Sequence, residues 1–451
     1  MATTYLSRTQ TTGNRRTWTF SAWVKRCTVS SYSALINATT TDEETIRFRN
    51  DNKIQIFFNG TTSGDLETTA VYRDPNAYYH VVLAVDTTQA IAANRVKLYI
   101  NGEQVTSFST ETYPVQDYDT FFNMSNTLNI GAGGGGSDTF DGIMSAINFA
   151  DGTAYPASTF GSTDADTGEW VINTSPSFTL GTNGFTILDN GDTITDQSSN
   201  SNDFTLTAGT LTNTEDCPSD IFATLNPLYR WGTTSNAYNN GNTAFNTTTT
   251  AWGSTFSTLG MTKGKFYAEM KVVNLVTNNG YMNLGIQGLD LINEQTGNTN
   301  ANFVANSGSA GMEMDYRGGT NNNLYSGGGS QLQDAGVDWT NGDIVGLAVD
   351  MDNKALYIHK NGVYLTVGGS VGDPTSGASK TGAIAIPASI TTCGFAIGGY
   401  TDHAKGAFNF GNGYFETTAI SSEGTNASGI GKFEYDVPTS YTALSTKGLN
   451  A

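Results

Sequence analysis

The sequence predicts an all-β chain folded as two antiparallel β-sandwiches in tandem, with almost no helix. Composition is the first ground for this. Of 451 residues 52 are Gly and only 14% are charged, and stretches of Thr, Asn and Ser separate apolar runs of Val, Ile, Tyr and Phe. That is the chemistry of strands and turns rather than of helices. The second ground is the Asn-Gly dipeptide, which occurs nine times from Asn59-Gly60 to Asn412-Gly413 and so spreads tight hairpins along the whole chain. Both central residues of such a turn need positive φ, which Asn tolerates and Gly adopts freely. The third is length, since sandwiches reach roughly 200 to 250 residues each and two of them fill the chain.

Taken in order, TWTFSAWVKR (Thr17–Arg26) sets Trp18, Phe20 and Ala22 against Thr17, Thr19 and Ser21, a strand with an aromatic core face. Further strands are expected in TIRFRN from Thr45, KIQIFFNG from Lys53, YYHVVLAVD from Tyr78, VKLYINGEQV from Val96, NTLNIGA from Asn126 and FDGIMSAINFA from Phe140. Two stretches share one design. Val81, Leu83 and Val85 alternate, a loop follows, then Val96, Leu98 and Ile100 alternate up to Asn101-Gly102. Val345, Leu347 and Val349 are followed by a tight Asp352-Asn353 turn, then by Leu356, Ile358 and Asn361-Gly362, with Tyr99 and Tyr357 expected to match on the outward side. Between Gly161 and Tyr229 the apolar residues Phe185, Ile187, Phe204 and Leu206 imply added strands that complete the first sandwich and lead into a linker. The expected domains are therefore 1–228 and 229–451, and GKFEYDVP near the end is expected to pack back as an edge strand.

Charge excludes more than it names. With 22 basic and 41 acidic residues the net charge is −19 and no basic run exists, so nucleic acid is not an expected partner. Such acidity also suits solubility of a densely packed or repeated protein. Cys27, Cys217 and Cys393 are widely spaced, which points to neither a disulfide framework nor a zinc site. The N-terminus lacks the apolar core of a signal peptide, and no apolar run approaches the roughly 18 residues of a membrane span, so a soluble protein made in a cytoplasm, without membrane insertion, is expected.

TWTFSAWVKR, YYHVVLAVD with VKLYINGEQV, and LNIGAGGGGSDTFDGIMSAINF, in that order over the first part of the chain, resemble the laminin-G or concanavalin-A-like jelly roll. Tyr79 departs from the Trp often found before the following His. KGKFYAEMKVVN, GYMNLGIQG, AGMEMDYRGG, NGDIVGLAVD with LYIHKNGV, and CGFAIGGY resemble the SPRY domain, itself a concanavalin-A-like sandwich. The D-x-S-x-N-x-N-D run from Asp196 to Asp203 resembles a strand-opening segment of relatives of the same fold. The whole chain, with YLSRTQTTGNRRTWTFSAWVKR at its start and NDFT…DCPSDIFATLNP in its middle, resembles virion proteins of marine tailed bacteriophages, of the tail-fibre or capsid-decoration type. That resemblance implies location in the virion after assembly in the host cytoplasm, partners among other capsid or tail proteins, several copies or a homo-oligomer, and a non-enzymatic surface role.

A glycosidase strand of the Glu-x-Asp-x-x-Glu type would set carboxylates on one face of a strand, but Glu313 and Asp315 are followed by Gly318 where the third acid belongs. An enzyme is not expected, and a carbohydrate-degrading tail protein is the least favoured alternative. His80, His359 and His403 are dispersed, which fits structural or exposed roles. No cofactor is expected; calcium stays open at DADTGE from Asp164, although Gly168 stands at its fifth position and no Glu closes a twelve-residue loop. Carbohydrate binding suits the fold best, and the loop from Asp315 to Trp339 supplies Tyr316, Arg317, Asn321, Asn322, Tyr325 and Trp339 as candidates for recognising a host-surface glycan. The competing class is a purely structural subunit that stabilises capsid or tail, compact because no heptad or collagen-like repeat provides a stalk.

Overall fold

The structure, a computed structural model, describes residues 4–40, 42–59, 63–229, 236–247, 252–275, 281–290, 308–315, 322–327, 331–400 and 404–451. It divides into two compact units, Met1–Asn213 with Cys217–Ser219, and Thr214–Asp216 with Asp220–Ala451. Both are all-β, and the one α-helix among the described residues is the four-residue turn Thr446–Leu449.

The first unit runs β1 (Tyr5–Thr9), β2 (Thr17–Arg26), β3 (Ser33–Thr39), β4 (Glu43–Phe48), β5 (Ile54–Phe58), β6 (Asp65–Thr68), β7 (Tyr78–Asp86) and β8 (Val96–Ile100). It continues with β9 (Glu103–Gln104), β10 (Phe108–Thr112), β11 (Thr127–Ile130), β12 (Gly142–Asp151), β13 (Gly161–Thr163), β14 (Trp170–Ile172), β15 (Phe185–Ile187) and β16 (Thr205–Ala208). One sheet has the order β10-β6-β5-β4-β3-β11-β1-β16 and the other β15-β12-β2-β7-β8-β9. Between them lies one core holding Trp18, Phe20, Ile46, Ile56, Leu83, Leu98, Phe149 and Phe185. Trp18 stacks near Phe149 at 5.7 Å and satisfies its indole N–H on Thr120 Oγ1 at 3.0 Å, so the largest core ring leaves no orphan donor. The added strands expected after residue 161 are present: β15 pairs with β12 and β16 with β1.

The second unit has β17 (Asn236–Asn239), β18 (Ala244–Thr247), β19 (Trp252–Phe256), β20 (Lys265–Leu275), β21 (Tyr281–Gly288), β22 (Ser309–Asp315), β23 (Asn323–Ser326) and β24 (Gln331–Asp334). After these come β25 (Ile344–Asp350), β26 (Ala355–Lys360), β27 (Val363–Tyr364) and the long strands Cys393–Tyr400 and Ala404–Asn409. One sheet orders β17, β18, Ala404–Asn409, β20, β25, β26 and β27; the other orders β19, Cys393–Tyr400, β21, β22, β23 and β24. Phe266, Met270, Leu284, Met312, Leu347, Ile358, Phe395 and Phe408 fill the space between. Residues 222–225 already belong here, with Leu225 in this core.

The two units use one strand arrangement at their centres. In the first, β2 lies between β12 and β7, and β7 pairs with β8. In the second, β20 lies between Ala404–Asn409 and β25, and β25 pairs with β26. The hairpin turns agree closely: Asn101 and Gly102 have φ of 49° and 83°, Asn361 and Gly362 have 50° and 83°. Asn101 Oδ1 accepts the His80 N–H at 2.8 Å and Asn361 Oδ1 accepts the Ile344 N–H at 2.8 Å, so each turn side chain holds the start of the preceding strand. Counted from these turns, Tyr99 is equivalent to His359, and Tyr357 is equivalent to Lys97. The expected match of Tyr99 with Tyr357 is therefore corrected; it paired residues by type and not by their distance from the turn that fixes the register.

The expected edge strand at GKFEYDVP is also corrected. Glu269, on the outer face of β20, accepts the backbone N–H groups of Glu434 at 2.9 Å and Tyr435 at 2.8 Å, which pins this segment across the face of the sheet instead of along its edge. The edge-like pairing is left to Thr442–Ala443, which lies parallel to β20.

Candidate functional site: an open groove on the first unit

β2 carries the first clue to the site. An alternating strand with one solvated face should show alternating burial, yet nine of its ten residues are buried. Something covers the outer face. In the first unit the cover is the segment from Gly152 to Phe178, which sets Ala157, Phe160, Tyr155, Trp170 and Phe178 over Val82 and Tyr99. Gly102 is required beneath it, because a Cβ there would lie 2.4 Å from the Trp170 ring. The Trp170 indole donates to His80 Nδ1 at 2.9 Å, which leaves Nε2 to carry the proton toward Ser21 Oγ at 2.9 Å. Trp23 stacks on His80 at 4.6 Å, and burial pulls the imidazole down to about 3, so this histidine is a neutral structural brace.

The second unit is covered more completely. Tyr267, Ala348, Tyr357, Phe433, Val437, Tyr441 and Ala443 form a continuous apolar layer over the outer face. Beneath it the Gly362 N–H donates to His359 Nδ1 at 3.1 Å, His359 Nε2 meets the Tyr267 hydroxyl at 2.6 Å, and that hydroxyl reaches Glu269 at 3.1 Å. Burial pushes Glu269 up to about 7 against four donors, the N–H groups of Glu434 and Tyr435, the Tyr267 hydroxyl and the Asn409 amide. Burial lowers His359 to about 4. Every member has a partner, so this network fastens a strap and presents nothing to a ligand.

In the first unit the cover stops short. Ala84, Asp86, Gln89, Asn94, Lys97 and Tyr99, with the chain from Ala154 to Pro156, line a groove of about 310 Å3. Its floor is small because Ala84 sits directly opposite Lys97 in the β7–β8 ladder. Its sides are Tyr99 and Tyr155. Tyr155 is fixed by its own N–H on Thr19 Oγ1 at 2.7 Å and by its hydroxyl, which accepts the Thr179 N–H at 2.8 Å and is lowered from its ordinary value by the hydrogen bonds at Thr179. Asp86 is saturated: Oδ1 accepts from the Thr88 N–H at 3.2 Å and the Thr88 hydroxyl at 2.6 Å, and Oδ2 accepts from Gln89 Nε2 at 2.6 Å. Partial burial raises its carboxyl, but these donors and Thr17 outweigh that and hold it below the usual range. Lys97 Nζ and the Asn94 side chain make no hydrogen bond or ion pair among the described residues. The groove thus offers an ammonium and an amide without partners among the described residues, beside two tyrosines on a rigid sheet, the few placed polar groups with aromatic lining that a small-molecule site uses.

The residues singled out in the sequence fall elsewhere. Tyr316, Arg317 and Asn321 lie outside the described residues, as do Gly318, His403 and the side chains of Glu313 and Asp315. Trp339 is 0% exposed in the second core, and Tyr325, 9% exposed, packs with Phe256 and Ala396. Asn322, 4% exposed, donates to the Val337 carbonyl at 3.0 Å and to Asp338, bracing its own loop. These three are placed for packing, because an aromatic platform needs a ring face in solvent. Asp196 in the D-x-S-x-N-x-N-D run accepts from Thr186, Ser198 and Asn202, while Asn200 and Asn202 both donate to the Gly184 carbonyl. That motif ties a loop knot. At DADTGE, Asp164 Oδ1 accepts the N–H groups of Asp166 and Thr167, a capped turn, and no cluster of three or more metal-ligating side chains occurs among the described residues. No described helix is long and apolar enough to cross a membrane.

Residues 2–157, which include every residue lining the groove, match a laminin-G-type family model described as the concanavalin A-like lectin/glucanases superfamily. The fold of the first unit is therefore a concanavalin-A-like jelly roll. No curated protein matches the chain in sequence. Among solved structures, the SPRY domain of human HERC1 is similar at 14% identity and a TM-score of 0.29, over 41% of this chain and 96% of that one. The TRIM65 PSpry domain is similar at 8% identity and 0.27, over 42% and 90%. A protein of Bacteroides ovatus, provisionally described as a carbohydrate binding protein, is similar at 13% identity and 0.28, over 46% and 56%. At these values none of them bears on ligand or activity.

Proposed function

We propose that the first unit is a non-enzymatic carbohydrate-binding module whose site is the groove between Tyr99 and Tyr155, and that the chain serves as an adhesion protein on the surface of a phage particle. The observation that carries the binding reading is the opening itself. Packed aromatics cover the outer face over Val82 and Tyr99, and beside them Ala84 leaves room next to Lys97 and Asn94, whose side chains have no partner among the described residues. The matched superfamily, which contains lectins, supports the same ligand class. Hydrolysis is disfavoured in this groove because glycosidases employ two carboxyl groups flanking the scissile bond, and Asp86 is the one acidic residue lining it, already saturated with donors. The virion setting rests on the resemblance of the chain's opening and middle segments to tailed-phage surface proteins. It has a direct test: labelled antibody on purified particles should mark capsid or tail.

Binding is tested by applying the whole chain to an array of bacterial surface glycans, alongside Tyr99→Ala. The expected result is retention of a defined set of glycans that Tyr99→Ala loses. No retained glycan would leave the chain as a purely structural subunit, and sugar release from any bound polysaccharide would make it an enzyme.

A further inference from the structure

The charges lining the groove narrow its ligand class, an inference that rests on the carbohydrate reading above. Among the described residues the groove is lined by one anion and one cation, Asp86 and Lys97, and they are in opposite conditions. Asp86 accepts from Thr88 twice, from Gln89 and, at 3.5 Å, from Thr17, so its oxygens have no need of a ligand hydroxyl. Lys97 is half-buried and its ammonium makes no hydrogen bond or ion pair among the described residues, in a chain with 41 acidic against 22 basic residues. Other cations make ion pairs, as Arg16 does with Asp117 and Asp119, Arg49 with Glu67, Lys265 with Asp350 and Lys360 with Asp343, while Arg73, Lys263, Lys380 and Lys447, which like Lys97 make none among the described residues, are exposed and lie outside the groove. The place Lys97 holds is not one that demands a charge, since the equivalent residue of the second unit is Tyr357, sealed under the strap at 1% exposed.

We propose that the groove selects glycans carrying a carboxylate, of the uronic-acid type, with Lys97 Nζ as the partner of that carboxylate, the Asn94 amide on a neighbouring hydroxyl and Tyr99 against the apolar side of the ring. An ammonium with three free donors gains most from an anionic acceptor, because charge-assisted hydrogen bonds are shorter and roughly twice as strong as neutral ones. The ligand is a short oligosaccharide or a lightly charged chain, since the net charge of −19 opposes a dense polyuronide.

The test is titration calorimetry of the intact chain with a short galacturonate oligosaccharide and with its methyl ester, which removes the charge by adding one methyl group to each carboxylate. The acid should bind about tenfold tighter than the ester, a gap of about 1.4 kcal/mol. Lys97→Gln should erase that gap by weakening the acid only, Lys97→Arg should keep it, and Tyr99→Ala should weaken both. An unchanged melting temperature for Lys97→Gln makes the loss one of recognition. Equal binding of acid and ester, or a preference that survives Lys97→Gln, overturns the proposal while the sugar-binding reading stands. Binding of neutral glycans but of no acid does the same. Binding of no glycan of either kind overturns both.

Discussion

Ala84 and Ala348 stand at the same place in equivalent strands, each opposite the first strand of a hairpin closed by an Asn-Gly turn in the same backbone conformation. Around Ala348 the sheet face is filled by Tyr357, Tyr441 and Phe433, and the neighbouring Asp350 is fully buried in an ion pair with Lys265 at 3.1 Å. Around Ala84 the corresponding residues are Lys97 and a partly exposed Asp86, and the face is open. One scaffold has therefore been finished in two ways. The difference lies in the covering segment, which runs past the central strands in the second unit and stops beside them in the first. A covered face stabilises; an open one can recognise.

Substitutions that break the cover should show the largest effects. Phe433→Ala removes a fully buried ring that meets Tyr267 at 5.0 Å and should cost about 3 to 5 kcal/mol in denaturant unfolding, with groove binding in the other unit unaffected. Glu269→Ala leaves two backbone N–H groups, a tyrosine hydroxyl and an amide without their acceptor beneath the strap, and a loss of about 3 kcal/mol is expected by the same measurement.

The pH dependence of stability separates the buried groups next. His80 and His359 are lowered by burial to about 3 and about 4, so the unfolded chain, with ordinary values near 6.5, binds the extra protons. Their contribution is complete above about 6.5 and is lost as the pH falls through about 4. Glu44 and Glu269 have the opposite sign: burial raises both to about 7, so their contribution is complete below about 4.5 and is lost as the pH rises through about 7. In melting curves recorded from pH 4 to 8, His359→Gln should flatten the acid limb and Glu269→Gln the neutral limb. An unchanged slope in either variant would contradict its assignment.

Smaller, and matched across the two units, are the turn glycines. Gly102→Ala and Gly362→Ala each add a Cβ at φ 83°, 2.4 Å from the Trp170 ring and 2.8 Å from the Tyr435 ring respectively, and each should cost about 2 kcal/mol. Lys97→Gln should change stability by no more than about 0.5 kcal/mol, as a half-exposed side chain without partners does.

Much of the scaffold was legible in the sequence because strands and turns announce themselves locally. TWTFSAWVKR is a strand over its whole length, and the Asn-Gly pairs at residues 101 and 361 form the turns their chemistry dictates. What covers a sheet is not local. Tyr155, Phe160, Trp170 and Phe178 have no period, and GKFEYDVP, with Phe433, reads as an edge strand although Glu269 draws it across the face. The groove was illegible for the same reason: it exists where cover ends, and Ala84, Asp86, Lys97 and Tyr99 stand in segments whose pattern reports strands and turns rather than a site. Trp339 and Tyr325 stood out as aromatics in a polar loop, but a sequence does not say which side of a loop an aromatic ring takes, and the cores took both.

Recognition of a ligand at the open face over Ala84, as proposed, has a direct test in the groove floor itself. Ala84→Phe would fill that floor with aromatic bulk, as Tyr357 and its neighbours fill the face over Ala348, while leaving Asp86, Asn94, Lys97 and Tyr99 themselves unsubstituted. Saturation-transfer NMR of the intact chain with a glycan retained on the array, at a melting temperature within a few degrees of the parent, is predicted to show transfer for the parent and none for Ala84→Phe. Undiminished transfer to the filled variant would contradict the account.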